Sequence, residues 1–281
     1  MASIGQRDVG TLFVELLTDT LRARAHNAKV EGQAATNPTL TQPVRHFVHV
    51  QSFAEWGVVS DEQRIVDHIN EDPYVYQIRK SLEQLMNDVE HTLHRGSANT
   101  GTSDIADVRQ FAGLINIFSN QTGIATYTSS SGTTFTEEVL VDLLQVFRDQ
   151  SLDVSPTQAY VNSFLKRTIS EFSTRVTRNV DAADAMQKLM IERHTSDFGD
   201  LDILYTEDQL IAASKTTEGN SICFLDPSLF KIGWARRPMV EALSRDGLRD
   251  RYQMNAQATL LFQNEKGGGG GEGFVSYINQ A

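Results

Sequence analysis

The sequence is poor in cysteine and in long apolar runs. Cys223 is the single cysteine among 281 residues, which excludes an intrachain disulfide and fits synthesis in a reducing cytoplasm. No run approaches the roughly 18 consecutive apolar residues that a membrane-spanning helix requires. The first residues also lack the basic and apolar regions of a secretory signal peptide. We therefore expect neither a signal peptide nor a membrane-spanning segment.

Positive charge is also scarce. Lysine and arginine number 25 against 36 aspartates and glutamates, which gives a formal net charge of −11. A dedicated nucleic-acid binder neutralises phosphates with cations, and a basic membrane-surface protein attracts anionic lipids, so this balance argues against both. The composition, 40% hydrophobic and 22% charged, is ordinary for a globular protein. The length permits one large domain or two intimate ones.

Reactive motifs are incomplete wherever they occur. The tripeptide DFG at 197–199 lacks the glycine-rich loop and the H-R-D motif of a kinase, so a turn between two strands explains it better. Five glycines at 267–271 are not followed by the Lys-Ser/Thr and the helix of a phosphate-binding loop. We therefore predict that residues 264–273 form a mobile hairpin tip. No G-x-S-x-G elbow is present.

Histidine and cysteine do not form a convincing metal site. His46 and His49 lie three apart on a predicted strand and point to opposite faces. His91 and His94 could share an ion on a helix, but no third ligand is near, and charges at the helix end are favoured instead. Cys223 lies in an apolar stretch and is favoured as a small core residue. We expect no catalytic residue, no metal and no cofactor, which favours a structural or binding protein.

The clearest element is a helix over 72–95. Asp72 is a good N-cap, Pro73 suits the first helical position, and Gly96 is predicted to end the helix in the left-handed conformation. At 1.5 Å per residue such a rod is roughly 33 Å long. Apolar residues at spacings of three and four predict one buried face. They are Ile78, Leu82, Leu85, Val89 and Leu93.

The chain before this helix changes character twice. Residues 1–21 contain a short amphipathic segment, with Leu12, Leu16 and Leu17 on one face. Residues 22–42 predict a flexible arm or linker that carries a small basic patch. Residues 43–59 alternate with a period of two and predict two strands or one long ribbon. Its two faces both carry large apolar side chains, so a neighbour is expected to cover one of them.

The chain after the helix alternates between both kinds of structure, which predicts an α+β fold. A Ser/Thr/Gly linker at 126–134 is the predicted domain boundary, and Thr134 with Glu137 predicts a capping box for the next helix. Further helices are predicted at 105–118, 163–172 and 238–244. Strands are predicted at 159–164, 187–194, 200–205, 221–226, 251–262 and near the C-terminus.

Several patterns in fixed order give the chain a family resemblance. They are QIRKSLEQLMNDVEHTLHRG at 77–96, VRQFAGLINIF at 108–118, SFLKRTISEF at 163–172, ERHTSDFGDLDIL at 192–204, CFLDPSLFKIGWARRPMVEALSRDG at 223–247 and ATLLFQNEKGGG at 258–269. Together they resemble the major capsid proteins of tailed bacteriophages, which share the Hong Kong 97 fold. The resemblance covers nearly the whole chain.

The resemblance implies an architecture and a non-enzymatic function. Residues 1–30 would be an N-terminal arm, 31–62 an extended loop over the adjacent subunit, 63–134 a peripheral domain with the spine helix 72–95, 135–244 an axial domain, and 245–281 the return to the peripheral domain. Pentamers and hexamers would form an icosahedral shell around double-stranded DNA, bound without sequence specificity. The shell would assemble in the bacterial cytoplasm and end in the virion, with portal, scaffolding and decoration proteins as partners and no membrane.

The resemblance also implies roles for particular residues. The predicted contacts with a neighbouring subunit are Arg45, Phe47, Phe53, Glu55 and Trp56. The cations of the arm, Arg22, Arg24 and Lys29, would face the shell interior. Residues 31–62 contain no lysine, so the covalent cross-links of some relatives are not expected, and the arm is too short to include a scaffolding segment. An encapsulin-like nanocompartment and a soluble enzyme without a recognisable motif are the alternatives.

Overall fold

The computed structural model describes residues 4–19, 26, 28, 31–32, 42–65, 72–100, 108–119, 127–149, 155–172, 193–196, 198–206, 220–264 and 267–275. The helices are α1 (Asp61–Ile65), α2 (Pro73–Arg95), α3 (Leu114–Ser119), α4 (Glu137–Asp149) and α5 (Ser163–Phe172). The strands are β1 (Gly5–Asp8), β2 (Phe13–Thr18), β3 (Val44–His49), β4 (Gln51–Ser60), β5 (Tyr127–Thr134), β6 (Gln158–Val161), β7 (Arg193–Ser196), β8 (Gly199–Tyr205), β9 (Asn220–Leu225), β10 (Phe230–Leu243), β11 (Arg249–Phe262) and β12 (Gly268–Val275).

Helix α2 confirms the predicted spine and its N-cap. The Asp72 carboxylate accepts a hydrogen bond from the Tyr74 amide at 2.9 Å. Three residues of the predicted stripe, Leu85, Val89 and Leu93, are buried in the core.

The other two residues of that stripe correct the prediction. Leu82 is 40% exposed and Ile78 is only half-buried. The buried face is turned instead towards Ser81, whose hydroxyl lies 2.8 Å from that of Tyr252. A polar side chain is tolerated there because its hydrogen bond is satisfied.

The C-terminal end of α2 differs from the prediction in two ways. Gly96 has a φ of −52°, so the helix does not end in the left-handed conformation. Glycine is needed because a Cβ would lie 2.7 Å from the carbonyl oxygens of Thr92 and Phe111. His94 is not an end-of-helix charge, because it is fully buried and packs edge-on against Tyr160 at 5.3 Å between ring centroids. Burial lowers its pKa to about 3, so the ring is neutral.

A four-stranded sheet in the order β1–β10–β11–β4 packs one face against α2. β11 confirms the predicted long strand, and its side chains from Tyr252 to Phe262 at alternate positions are all buried. The helix predicted at 238–244 is wrong, because these residues belong mostly to β10. Pro238 lies inside a register shift between Arg236 and Met239, where a missing N–H breaks no regular pairing.

A six-stranded sheet in the order β5–β12–β9–β6–β8–β7 forms a second core with α4 and α5. The prediction of a mobile tip at 264–273 is wrong, because the glycine run enters β12, which lies between β5 and β9. A Cβ on Gly268 would collide with the Phe118 ring, and one on Gly270 with the Ile222 carbonyl oxygen. The predicted linker at 126–134 is also wrong, because residues 127–134 form β5.

Several smaller predictions of strands, helices and helix caps can be compared with the structure. Strands β6, β8 and β9 and helices α4 and α5 lie where they were predicted. Phe198 and Gly199 of the DFG tripeptide lie between β7 and the body of β8, where Ser196 pairs with Gly199, and Asp197 lies outside the described residues. Thr136, not Thr134, caps α4, since its hydroxyl accepts from the Val139 amide at 3.4 Å. The predicted helix at 105–118 is largely replaced by the short α3, and 101–107 lies outside the described residues.

Sheet membership departs from the predicted domain bounds. β5 precedes residue 135 and β12 follows residue 245, yet both lie in the six-stranded sheet. β10 lies within the range 135–244, yet it pairs with β11 in the four-stranded sheet. The chain therefore passes between the two sheets more often than a linear division allows. In the part of the chain that the structure describes, no helix is long and apolar enough to cross a membrane.

Candidate assembly surfaces

Strands β2 and β3 form a separate two-stranded ribbon with one exposed face. Its inner face packs on the core through Leu16 and Val48. The outer face carries Phe47, which is 66% exposed, and an ion pair of 3.3 Å between Arg45 and Glu15. Phe13 and Leu17 extend this apolar face. Leu12 and Leu17 are thus exposed while Leu16 points inward, so the predicted common face of these leucines is wrong.

The ribbon is anchored at the C-terminal end of β11. The His46 ring lies 5.6 Å from that of Phe262, and the Thr259 hydroxyl donates to the His49 carbonyl oxygen at 2.9 Å. These contacts leave the opposite face of the ribbon, which we call the ribbon face, open to solvent. It contains Phe13, Glu15, Leu17, Arg45 and Phe47.

The four-stranded sheet exposes apolar side chains on the face away from α2. Trp56 on β4 is 70% exposed, and Val58 lies beside it. The pairing register places Met239 and Leu243 of β10 on this same face across β11. Large exposed apolar groups collected on one surface are typical of interaction sites.

Phe53 corrects the predicted set of inter-subunit contacts. It is 8% exposed and belongs to the core of its own subunit, where its ring lies 6.5 Å from that of Phe111. Alternation along β4 turns Phe53 and Glu55 towards the helix side and Trp56 away from it. Arg45, Phe47, Glu55 and Trp56 remain available to a neighbour.

A cleft of about 360 Å³ opens between β4 and α2. Glu55 to Val58 border it on the strand side, and Gln77, Lys80 and Gln84 border it on the helix side. Tyr252 lies between strand and helix and reaches under Gly57, where a Cβ would collide with its hydroxyl group. Among the described residues, the side chains of Glu55, Gln77, Lys80 and Gln84 have no hydrogen-bond or ion-pair partner.

An Arg–Asp cluster fastens the β10–β11 turn to the helices. Arg64 donates to Asp250 at 2.7 Å and to Asp72, the N-cap of α2, at 3.3 Å. Arg245 pairs with Asp61 and with Asp250, the latter at 2.7 Å. The hydrogen bond to Asp250 and the charge of Asp72 raise the pKa of Arg64. Sequence reasoning missed this cluster, although the alternation of arginine and aspartate at 245–251 is a signal for it.

The beginning of the chain is docked on its own subunit. β1 pairs in parallel with β10, Ile4 is buried, and Asp8 forms an ion pair of 3.0 Å with Arg237. The predicted interior-facing cations Arg22, Arg24 and Lys29 lie outside the described residues.

The described residues contain few groups suited to metal binding or nucleophilic catalysis. No group of three or more metal-ligating side chains is found among the described residues. Cys223 is fully buried, and burial raises the pKa of its thiol, which disfavours the nucleophilic thiolate. It is a core residue, as predicted.

Three solved structures show the same fold at low sequence identity. The capsid of a native GTA particle matches with a TM-score of 0.66 at 12% identity, covering 98% of this chain and 89% of that one. The capsid of Myoviridae phage XM1 matches at 0.62 and 11%, covering 97% and 90%. The SrpI encapsulin of Synechococcus elongatus PCC 7942 matches at 0.60 and 10%, covering 99% and 86%. No curated protein matches the chain.

The sequence match is more specific than these likenesses of fold. The family model of the SU10 major capsid protein matches residues 1–273, which is nearly the whole chain. Such a protein is a structural subunit of the virion that assembles with copies of itself into a shell, in agreement with the exposed apolar surfaces and with the Hong Kong 97-like fold. The chain therefore belongs to the SU10 major capsid protein family and is the major capsid protein of a tailed bacteriophage.

Proposed function

We propose that this capsid protein forms pentamers and hexamers that close into an icosahedral shell around double-stranded DNA. The observation that carries the proposal is the family match over residues 1–273. The exposed Phe47 and Trp56 support it, because burying such side chains against a neighbour is favourable by roughly 25 cal/mol per Å² of apolar surface. Assembly would take place in the bacterial cytoplasm, with portal, scaffolding and decoration proteins as further partners.

The two sheets would serve different contacts in this shell. The four-stranded sheet with α2 would form the peripheral domain, and the six-stranded sheet with α4 and α5 the axial domain around the symmetry axes. The extended loop at 31–62 would lie over the adjacent subunit and bring Arg45, Phe47, Glu55 and Trp56 into contact with it. Phe53 would support the loop from inside its own subunit.

The shell would confine DNA by geometry and not by adhesion. A net charge of −11 repels phosphates and supports packaging without sequence-specific binding. Arg22, Arg24 and Lys29 of the arm would face the interior and offset part of this repulsion. Reversing these three charges should lower the DNA content of the shells, and an unchanged DNA content would refute the interior placement.

Purification tests the proposal directly. The expressed protein should sediment as megadalton particles that appear as closed shells by negative-stain microscopy, and particles from infected cells should contain double-stranded DNA. A protein that remains monomeric under all assembly conditions would refute it. Shells that enclose a protein cargo instead of DNA would favour the encapsulin-like alternative, which the SrpI likeness supports.

A further inference from the structure

A pocket of about 300 Å³ lies between the four-stranded sheet and the segment that connects β1 to β2. Residues at the ends of β10 and β11 line it on the sheet side, and residues 9–11 of the connecting segment line it on the other. Pockets for small molecules typically measure about 300–1,000 Å³, so this one is large enough for a compact ligand.

The connecting segment is held close to the sheet by packing and by a backbone hydrogen bond. A Cβ on Gly233 would lie 2.9 Å from a methyl carbon of Val9 and 2.9 Å from one of Thr259, so only glycine permits this approach. The Val9 amide donates to the Trp234 carbonyl oxygen at 2.8 Å. The pocket is therefore a fixed feature of the fold.

One part of the pocket is lined by apolar side chains. Val14 and Leu16 of β2 and Leu229 before β10 are half-buried, and Leu261 and Phe262 at the end of β11 are buried. Apolar surface that remains in contact with water favours an apolar ligand, because binding removes both surfaces from water.

Two cations lie side by side at the sheet edge of the pocket. Lys231 pairs in register with Gly5, and Arg7 pairs with Gly233, so both cations point to the same face of β1 and β10. Strand spacings place their Cα atoms roughly 8 Å apart. Neither side chain has a hydrogen-bond or ion-pair partner among the described residues. Like charges at this distance repel, and an anion between them would relieve the repulsion.

The carboxylates that line the pocket do not compensate these cations. Asp8 forms an ion pair of 3.0 Å with Arg237, and Glu15 forms one of 3.3 Å with Arg45. Both of these arginines lie outside the pocket lining. The pocket therefore contains two positive charges without counter-ions, although the whole chain has a net charge of −11.

We propose that this pocket binds a small amphipathic anion, with a carboxylate head between Arg7 and Lys231 and an apolar body against Val14, Leu16 and Leu261. Such a ligand would contact β1, the ribbon and β11 at once and would hold the ribbon in a fixed orientation on its own subunit. The site goes beyond the proposed function and does not depend on it, because all of its lining residues belong to one chain.

Calorimetric titration of the purified subunit with octanoate tests the site. Octanoate should bind once per chain, and acetate, which has the head without the body, should show no measurable binding. The variant Arg7→Gln with Lys231→Gln should weaken octanoate binding at least tenfold and leave octan-1-ol binding within about twofold, because only the head loses its partners. Arg236→Gln is the charge-matched control, since Arg236 is an exposed cation of β10 outside the pocket and should not alter binding.

A second pair of variants tests the apolar part of the pocket. Val14→Trp should abolish the binding of both octanoate and octan-1-ol by filling the pocket. Val14→Asn, which adds no bulk, should weaken both ligands at least threefold. Circular dichroism checks that each variant folds.

Three results would overturn the site. They are a wild-type subunit that does not bind octanoate, a folded Arg7→Gln, Lys231→Gln variant that binds it as tightly as the wild type, and acetate binding as tight as that of octanoate. Octanoate that binds at several equivalent sites in every variant would also overturn it, because this behaviour indicates adsorption to exposed apolar surface.

Discussion

Tyr252 links the spine helix α2 to the four-stranded sheet through the contacts of its hydroxyl group and its ring. Its hydroxyl group lies 2.8 Å from the Ser81 hydroxyl, and its ring passes beneath Gly57, where any side chain would collide with it. Tyr74 packs edge-on against the same ring at 5.7 Å between centroids. A buried hydroxyl pair is stable because each group satisfies the other. These residues set the separation of α2 from β4 and hence keep the cleft open.

Leu85 and Leu82 give a matched test of burial on α2. Leu85 is 1% exposed and Leu82 is 40% exposed on the same helix. Leu85→Ala should lower the free energy of unfolding by about 2–5 kcal/mol, because it leaves a cavity in the core. Leu82→Ala should change it by about 0.5 kcal/mol or less. Urea unfolding of the unassembled subunit measures both, and equal losses would contradict the observed orientation of α2.

His94 should make the subunit sensitive to mild acid. Burial lowers its pKa from 6.5 to about 3, so the unfolded chain binds more protons than the folded one between these values. The stabilisation is complete above about pH 6.5 and falls by up to about 1.4 kcal/mol per pH unit as the pH drops towards 3. His94→Gln should flatten this part of the stability curve, whereas His91→Gln, at an exposed position, should not. A curve that His94→Gln leaves unaltered would contradict the burial of a neutral ring.

At the scale of elements, the glycines of β12 have no side chains, which lets the strand pack closely against α3. Gly268→Ala should lower the free energy of unfolding by about 1–3 kcal/mol, because its methyl group meets the Phe118 ring and overpacks the site. Gly10→Ala is the control, since its Cβ would contact nothing within 4 Å. Thermal unfolding distinguishes them. Tolerance of Gly268→Ala would support the loop that the sequence predicts.

Elements whose apolar residues repeat with a clear helical or two-residue period were predictable from the sequence. α2 and β11 carry the helical and the two-residue repeat, and each lies where its repeat predicts. β10 and β12 were missed because tertiary contacts override their local signals. Pro238 is accommodated by a register shift, and the glycines of β12 are required by Phe118 and Ile222 above and beside the strand. No single-segment pattern contains those partners.

The candidate surfaces were predictable only in part for the same reason. Alternation in 43–59 correctly predicts strands with large apolar groups on both faces. It cannot tell which face the subunit covers itself, so Phe53 was assigned to a neighbour although Phe111 covers it. The partners of the Arg–Asp cluster are also distant in sequence, because Arg64 and Asp250 meet only after β11 pairs with β4.

At the scale of the whole molecule, two sheets and a ribbon divide the surface into separate areas. The ribbon is a two-stranded unit with an exposed face, and the outer face of the four-stranded sheet is exposed near Trp56. Different patches that meet head to tail close into rings of several copies, whereas a self-complementary patch would give pairs. The stability of such a subunit belongs partly to the assembly, because association stabilises the folded state by mass action.

The shells should be held together by non-covalent contacts alone. Residues 31–62 contain no lysine, so the loop lacks the amine that an isopeptide bond to an asparagine of the next subunit would require. Purified shells boiled in detergent should therefore run as a single band near 31 kDa, the mass of one chain, with and without reductant. A ladder of multimers from wild-type shells under reducing conditions would show that another lysine of the chain forms the cross-link.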